Sequence, residues 1–406
     1  MKRLAVIAPG LQAGGANLLL ARTAEVLARR HSWALTLVDV EGGAAFRYLE
    51  DQGAKFHFVA YRAGRVHDIY DADAVLVSLL GAKLIHRLYR LRPTARLLTW
   101  CTAPQDPFKF FSLAIGFNRS SWRLRRLIAT TLWRSHASRI ATFLREGASR
   151  GGVVFMDEHN LQINRQIFEC GIPSSLAHLC TAEAAMPPRG ALAGPLVAAW
   201  IGRVDDFKTE CMIAGARAIL DGGMASKIIV IGDGADIEVA RRRLRGLPVD
   251  FLGHLPPAQL DRCIRERASF AFGHATALLE AARNGVPSLL IDACYDPIPK
   301  AALRAEWLHN LPPGYVGKIC DPSEMVGRAF PTLAGELSAG LEDLALNSHR
   351  HWIAHHSPEL IGARINEVLI SGDYTLEDFE NSGAASPGPI GRAIDWLKES
   401  LFRRIY

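Results

Sequence analysis

Ala198-Ala-Trp-Ile-Gly-Arg-Val-Asp-Asp-Phe-Lys208 is the stretch that decides how this chain is read. An apolar run ends in Gly-Arg, and a lysine follows five residues after the arginine. Two cations just past a buried strand make an anion site: arginine offers a fixed fork of donors and lysine a mobile point charge, a pair suited to a diphosphate. Working outward, Lys227-Ile-Ile-Val-Ile231 runs into Gly232-Asp-Gly234, and Val249-Asp-Phe-Leu252 into Gly253-His254. Ser269-Phe-Ala-Phe272 runs into His274, and Ser288-Leu-Leu-Ile-Asp292 follows a helix ending at Gly285. Such continuous apolar runs, with helical patterns between them, read as parallel strands covered on both faces.

A similar series precedes it. Arg3–Pro9 reads as a first strand, Gly10-Leu-Gln-Ala-Gly14-Gly15 as a Gly-rich turn, and Ala16–Arg30 as a helix. Trp33–Asp39, Asp73–Leu80 and Ala95–Cys101 read as further strands. The expected architecture is α/β, with two Rossmann-like doubly wound domains facing a cleft. Expected boundaries are 1–190 for a first domain with a basic insert at about 105–150, 191–375 for a second domain, and 376–406 for a linker and a terminal amphipathic helix, about Arg392–Ile405. Pro/Gly/Ala-rich stretches at 186–195 and 381–391 read as linkers.

The 406 residues are 49% hydrophobic and 22% charged, ample for buried cores. No apolar run approaches the roughly 20 residues of a spanning helix, and the N-terminal run reads as a strand, not a signal peptide. Seven scattered cysteines without a C-x-x-C indicate reduced thiols, a cytoplasmic protein and no zinc site. Residues 1–190 carry a charge of +11 and the remainder −5, which implies two surfaces with different partners. The excess concentrates in 83–150, with 14 basic and 2 acidic residues. There Ser121-Trp-Arg-Leu-Arg-Arg-Leu-Ile-Ala-Thr-Thr-Leu-Trp-Arg134 fits either an amphipathic stretch on an anionic bilayer or a packed helix with a solvated basic face. No nucleic-acid module is present.

Ligands of open α/β sheets sit beyond the carboxyl ends of the strands. Gly10, Gly14, Gly15, Arg203, Gly232 and Gly234 all occupy such ends. Gly14-Gly15 admits close backbone approach and exposes helix amides, or is simply a tight turn. Asp71-Ala-Asp73 reads as a polar strand start. His349, His351, His355 and His356 read as a solvated helix face and not as a metal site.

The order Gly-Arg-x4-Lys, Gly-Asp-Gly, Leu-Glu-Ala-x3-Gly-x-Pro resembles the C-terminal half of GT-B glycosyltransferases, family 4 in particular. The resemblance covers most of the chain and is sharp from about 196 to 292. It implies transfer of a sugar, with retention, from a nucleoside diphosphate sugar (UDP as the default) to a glycan or lipid-linked acceptor, in cell-surface polysaccharide or glycolipid biosynthesis. That donor is a co-substrate; no cofactor or metal is expected. Arg203 and Lys208 match the family's diphosphate-binding, catalytic cations; Glu280 matches the carboxylate on the ribose; Gly14-Gly15 match the loop over the donor. Gly253-His254 resemble the strand beside the nucleobase, and Gly232 and Gly234 fall in the donor-binding loops.

Two departures stand out. The family's second glutamate, eight residues before Glu280, is Phe272 here; His274 or the amides of Ala275, Thr276 and Ala277 are the candidates to replace it near the donor sugar. The histidine many members carry after the fourth N-terminal strand is missing from Thr99-Trp-Cys-Thr-Ala-Pro-Gln-Asp106. A GT-B scaffold without catalysis and a nucleotide-sugar epimerase on the same fold are therefore the alternatives.

Overall fold

The structure, a computed structural model, describes residues 2–11, 15–83, 85–110, 122–131, 133–183 and 194–386. Gly14, the terminal helix expected at 392–405, and residues 186–193 and 387–391 of the expected linkers lie outside the described residues. The chain divides into two compact units. The first runs to Cys180 and resumes at Pro358; the second spans Thr181–Ser357.

The first unit is built on β1 (Arg3–Ile7), β2 (Ala34–Asp39), β3 (Phe56–Ala60), the short β4 (His67–Asp68), β5 (Ala74–Ser78), the short β6 (Tyr89–Arg90), β7 (Arg96–Cys101) and β8 (Val153–Phe155). Its six-stranded sheet has the order β3-β2-β1-β5-β7-β8 with every pairing parallel, while β4 and β6 pair with each other. The second unit holds β9 (Val197–Ile201), β10 (Lys227–Ile231), β11 (Val249–Gly253), β12 (Phe270–Gly273), β13 (Ser288–Leu290) and β14 (Glu306–Trp307). Their order is β11-β10-β9-β12-β13-β14, parallel except for the antiparallel last pair. Both orders reverse beside the first strand of the unit, the switch point at which open α/β sheets bind ligands.

Central strands are apolar throughout because helices cover both faces: Leu4–Ile7 and Ala198–Ile201 are all buried. Trp200, Phe270, Phe272 and Trp307 fill the second core. Edges read differently. Along β3 no residue is fully buried, and β8 and β14 are only three and two residues long; the sequence reading contains none of the three. Residues 358–375, expected to close the second domain, belong to the first unit. Their helix Pro358–Ser371 lies on the helix Gly15–His31, where an added Cβ on Gly362 would stand 2.3 Å from a Val26 methyl. Trp33 Nε1 donates to Asn366 Oδ1 at 2.9 Å, and Arg30 pairs with Glu359 at 2.6 Å.

The histidines of the helix Leu341–His356 do not form a solvated face. His349, His351 and His356 are buried, and His349 stacks on Trp352 with ring centroids 5.5 Å apart. Among the described residues no His/Cys/Asp/Glu cluster is placed to hold a metal, and no helix is long and apolar enough to cross a membrane.

Candidate nucleotide-sugar site

In the second unit β9 ends at Ile201, and Gly202 turns the chain with φ of +133°, a conformation that favours glycine. The next residues form a loop clamped from below. Gly202 N donates to Ile231 O at 2.9 Å and Val204 N to Asp233 O at 3.0 Å. A Cβ on Gly232 would lie 1.9 Å from Gly202 O, and one on Gly234 would lie 2.3 Å from Val204 O. Gly-Asp-Gly thus serves backbone packing: it lets the end of β10 run directly under the Arg203 loop. Gly253 joins the same platform, its carbonyl accepting from Gly232 N at 2.8 Å.

Lys208 opens the helix Phe207–Asp221. Asp236, unremarked in the sequence reading, aligns that helix start; its Oδ2 accepts from Asp206 N and Thr209 Oγ1, both at 2.9 Å. An added Cβ on Gly202 would sit 4.0 Å from Lys208 Nζ and 3.6 Å from the Ala277 methyl, so lysine, turn and the helix Thr276–Arg283 meet at one point. No side chain caps that helix, and Ala275 before it adopts φ 58°, ψ −154°. This is an unusual conformation for a residue with a Cβ, and strain of this kind collects at functional sites. The first-turn amides of a helix lack intrahelical acceptors and suit an anion.

Burial, reinforced by the neighbouring Arg203 charge, lowers the Lys208 ammonium below the ordinary lysine range. Arg203 itself is more open, with 58% of its side chain exposed and an ion pair to Asp205 at 2.9 Å. His274 lies behind them, fully enclosed, and burial holds it well below the usual histidine range. Its Nδ1 stands 3.9 Å from Cys211 Sγ, while its buried Nε2 has no protein partner.

Other residues fall elsewhere. His254 is exposed at the end of β11. Glu280 is buried, its Oε2 held by Arg283 Nε at 2.5 Å, and Arg283 Nη2 reaches Asp261 at 2.5 Å. Phe272 is a core residue of β12, paired with Leu289 and packed on Trp200. Only His274 and Ala275 connect β12 to the following helix. A carboxylate at 272 would enter the core.

At the carboxyl edge of the first sheet, Asp39 accepts from Gly10 N at 2.8 Å, Val40 N at 2.7 Å and Phe46 N at 3.0 Å. It fixes the start of the Gly-rich turn; an acidic residue closing an apolar strand was the available signal. Gly15 begins the helix Gly15–His31. Where a histidine is absent after β7, Asp106 Oδ2 instead closes a turn on Thr102 N at 3.1 Å and Ala103 N at 2.9 Å. Exposed Leu124 and Leu127 share the helix Trp122–Thr130 with exposed Arg123 and Arg126.

Beside them, Asp157 caps the helix Glu158–Phe168 through Oδ1, which accepts from Asn160 N at 2.6 Å; its buried Oδ2 has no partner. Burial raises this carboxyl to about 6. A carboxyl raised on folding favours the fold while protonated. Stability is therefore lost as pH rises from the unfolded value near 4 through 6, about 3 kcal/mol in all. Asn caps equally well. Asp157→Asn should raise the melting temperature at pH 8 and leave it unchanged at pH 4, measured by calorimetry; equal shifts at both would show that the charge is not the cause.

No protein-family description matches the sequence, and no curated protein sequence matches it. Solved structures do. Alr3699/HepE of Anabaena, in complex with UDP-glucose, shares 14% identity with a TM-score of 0.56, covering 91% of this chain and 100% of its own. TarM of S. aureus, in complex with UDP and other ligands, shares 9% at a TM-score of 0.55, with coverage of 91% and 100%. AviGT4, a glycosyltransferase involved in avilamycin A biosynthesis, shares 13% at 0.51, with coverage of 91% and 98%. At such identities the likeness is one of fold, and the fold is GT-B: mixed α/β, with two parallel-stranded units.

Proposed function

We propose that this chain is a glycosyltransferase that moves a sugar from a nucleoside diphosphate sugar to a glycan or lipid-linked acceptor. The observation that carries the reading is the meeting of Lys208, the Gly202 turn and the uncapped start of the helix Thr276–Arg283 at the sheet's switch point. A diphosphate there receives an ammonium, a guanidinium and helix amides, groups that stabilise charge building on a leaving diphosphate. HepE, similar in fold, is described with UDP-glucose, which supports UDP as the nucleotide. The Arg203–Asp205 pair opens on binding, and the guanidinium turns to phosphate. The amides of Ala275, Thr276 and Ala277 are offered to the donor sugar, with the enclosed, neutral His274 behind them. The family 4 likeness favours retention. Alternating arginines and leucines on the helix Trp122–Thr130 favour an acceptor presented at an anionic membrane face, and hence a cytoplasmic location.

A thermal-shift series with nucleoside diphosphates, followed by turnover of radiolabelled UDP-sugars, tests the reading. A ligand at a hundredfold excess over Kd adds about 2.7 kcal/mol of stability, so UDP should raise the melting temperature in a dose-dependent way. No shift with any nucleoside diphosphate and no donor consumed would overturn it. Consumption of a donor with conversion of its sugar and no transfer product would establish the epimerase instead.

A further inference from the structure

A cavity of about 680 Å³ opens in the first unit at the amino ends of the strands, the edge opposite that of the Gly-rich turn. Arg3, His57, Asp68, Tyr70, Asp71 and Arg90 supply its polar lining. Its charges come in pairs. Arg3 Nη1 meets Asp71 at 2.6 Å and Arg90 Nη1 meets Asp68 at 3.7 Å. These side chains are more than half exposed, so the pairs contribute little to stability. Tyr70 is 46% exposed, with the Arg90 guanidinium 5.7 Å from its ring centroid. The short β4–β6 ladder holds the two together: Asp68 and Arg90 are register partners, and Asp68 Oδ1 accepts from Tyr70 N at 3.1 Å.

A concave site with a few convergent polar groups is what a small-molecule site requires. The chemistry selects the ligand class. Two carboxylates and two guanidiniums cancel, so the cavity attracts neither phosphate nor metal by net charge. What remains is a dense set of ionised donors and acceptors, strong partners for vicinal hydroxyls, beside an exposed aromatic ring that can stack on the C–H face of a pyranose. We propose that this cavity is a second carbohydrate site, which holds a neutral oligosaccharide at the sheet edge opposite the Gly-rich turn. It extends the transferase reading, and rests on it only in taking glycans as the protein's substrates.

Saturation-transfer NMR on the full chain, with maltotetraose, cellotetraose and laminaritetraose as probes, tests it. At least one should receive saturation. Tyr70→Ala and Arg90→Ala should each weaken that binding at least tenfold, Tyr70→Phe should retain it, and inorganic phosphate should not compete. All these positions are exposed, and the UDP thermal shift, measured in parallel, should be unchanged. No transfer to any of the three probes, transfer unaffected by both alanine variants, or displacement by phosphate would each overturn the site. Failure of UDP to bind while the glycan signal persists would overturn the transferase reading and leave the cavity's assignment standing.

Discussion

Lys208→Ala should abolish the UDP-induced thermal shift and lower kcat/KM about a thousandfold, the effect typical of losing one preorganised charge on a developing anion. The half-buried lysine should matter more than the arginine. Lys208 is half-buried and feels the Arg203 charge, an unfavourable pairing of cations that a diphosphate relieves. Arg203 is 58% exposed and already paired with Asp205; solvent screens much of its contribution, and Arg203→Ala should cost ten- to a hundredfold. The pH dependence has a definite sign. A lysine held below its ordinary range by burial and Arg203 takes up protons when the diphosphate arrives. UDP affinity should therefore fall as pH rises, at lower pH than an ordinary lysine would impose. Titrations between pH 6 and 10 in wild type and Lys208→Ala check this. A variant that keeps the UDP shift, or a wild type with flat affinity across that range, would remove Lys208 from the site.

How much of this was legible depended on burial. Central strands such as Lys227–Ile231 could be bounded to the residue because both faces are apolar. The edge strand Phe56–Ala60 could not, since a strand with one open side mixes Phe and His. That the Arg203–Lys208 loop follows a strand end was readable from the apolar run before it, whereas the strand order that makes the place a switch point was not. On the resemblance Gly232 and Gly234 fall in the donor-binding loops, and what their missing Cβ atoms make room for is the backbone of the Arg203 loop. Motif chemistry misled at two places. Phe272 looked like a lost carboxylate, yet it is a core strand residue. The charged, His-rich run at 349–356 looked solvated, yet three of its four histidines pack inward. In each case the deciding fact is a contact between segments distant in sequence, which spacing along the chain does not encode. Asp236 belongs to the same class: it acts on Asp206 and Thr209 from thirty residues away.

Glu280→Ala tests the other half of the site and should be the most destabilising of these changes. The structure gives its carboxylate one task and the family resemblance implies another. One is structural: Glu280 and Asp261 together neutralise Arg283, whose side chain is only 4% exposed and whose pKa their contacts raise above the ordinary arginine range despite burial. Removing one partner of a buried pair typically costs about 3–5 kcal/mol. Asp261 remains, so the lower end is expected, read as an earlier calorimetric transition of the second unit. The other task is the ribose contact that the family resemblance implies. Glu280→Gln separates them, since an amide oxygen still accepts from Arg283 Nε while the charge is gone. It should recover most of the melting temperature yet discriminate less well between UDP and inorganic pyrophosphate. If Glu280→Gln keeps that discrimination intact, the carboxylate is purely a structural partner of Arg283, and recognition of the nucleoside must be sought along the loops that follow β10 and β11.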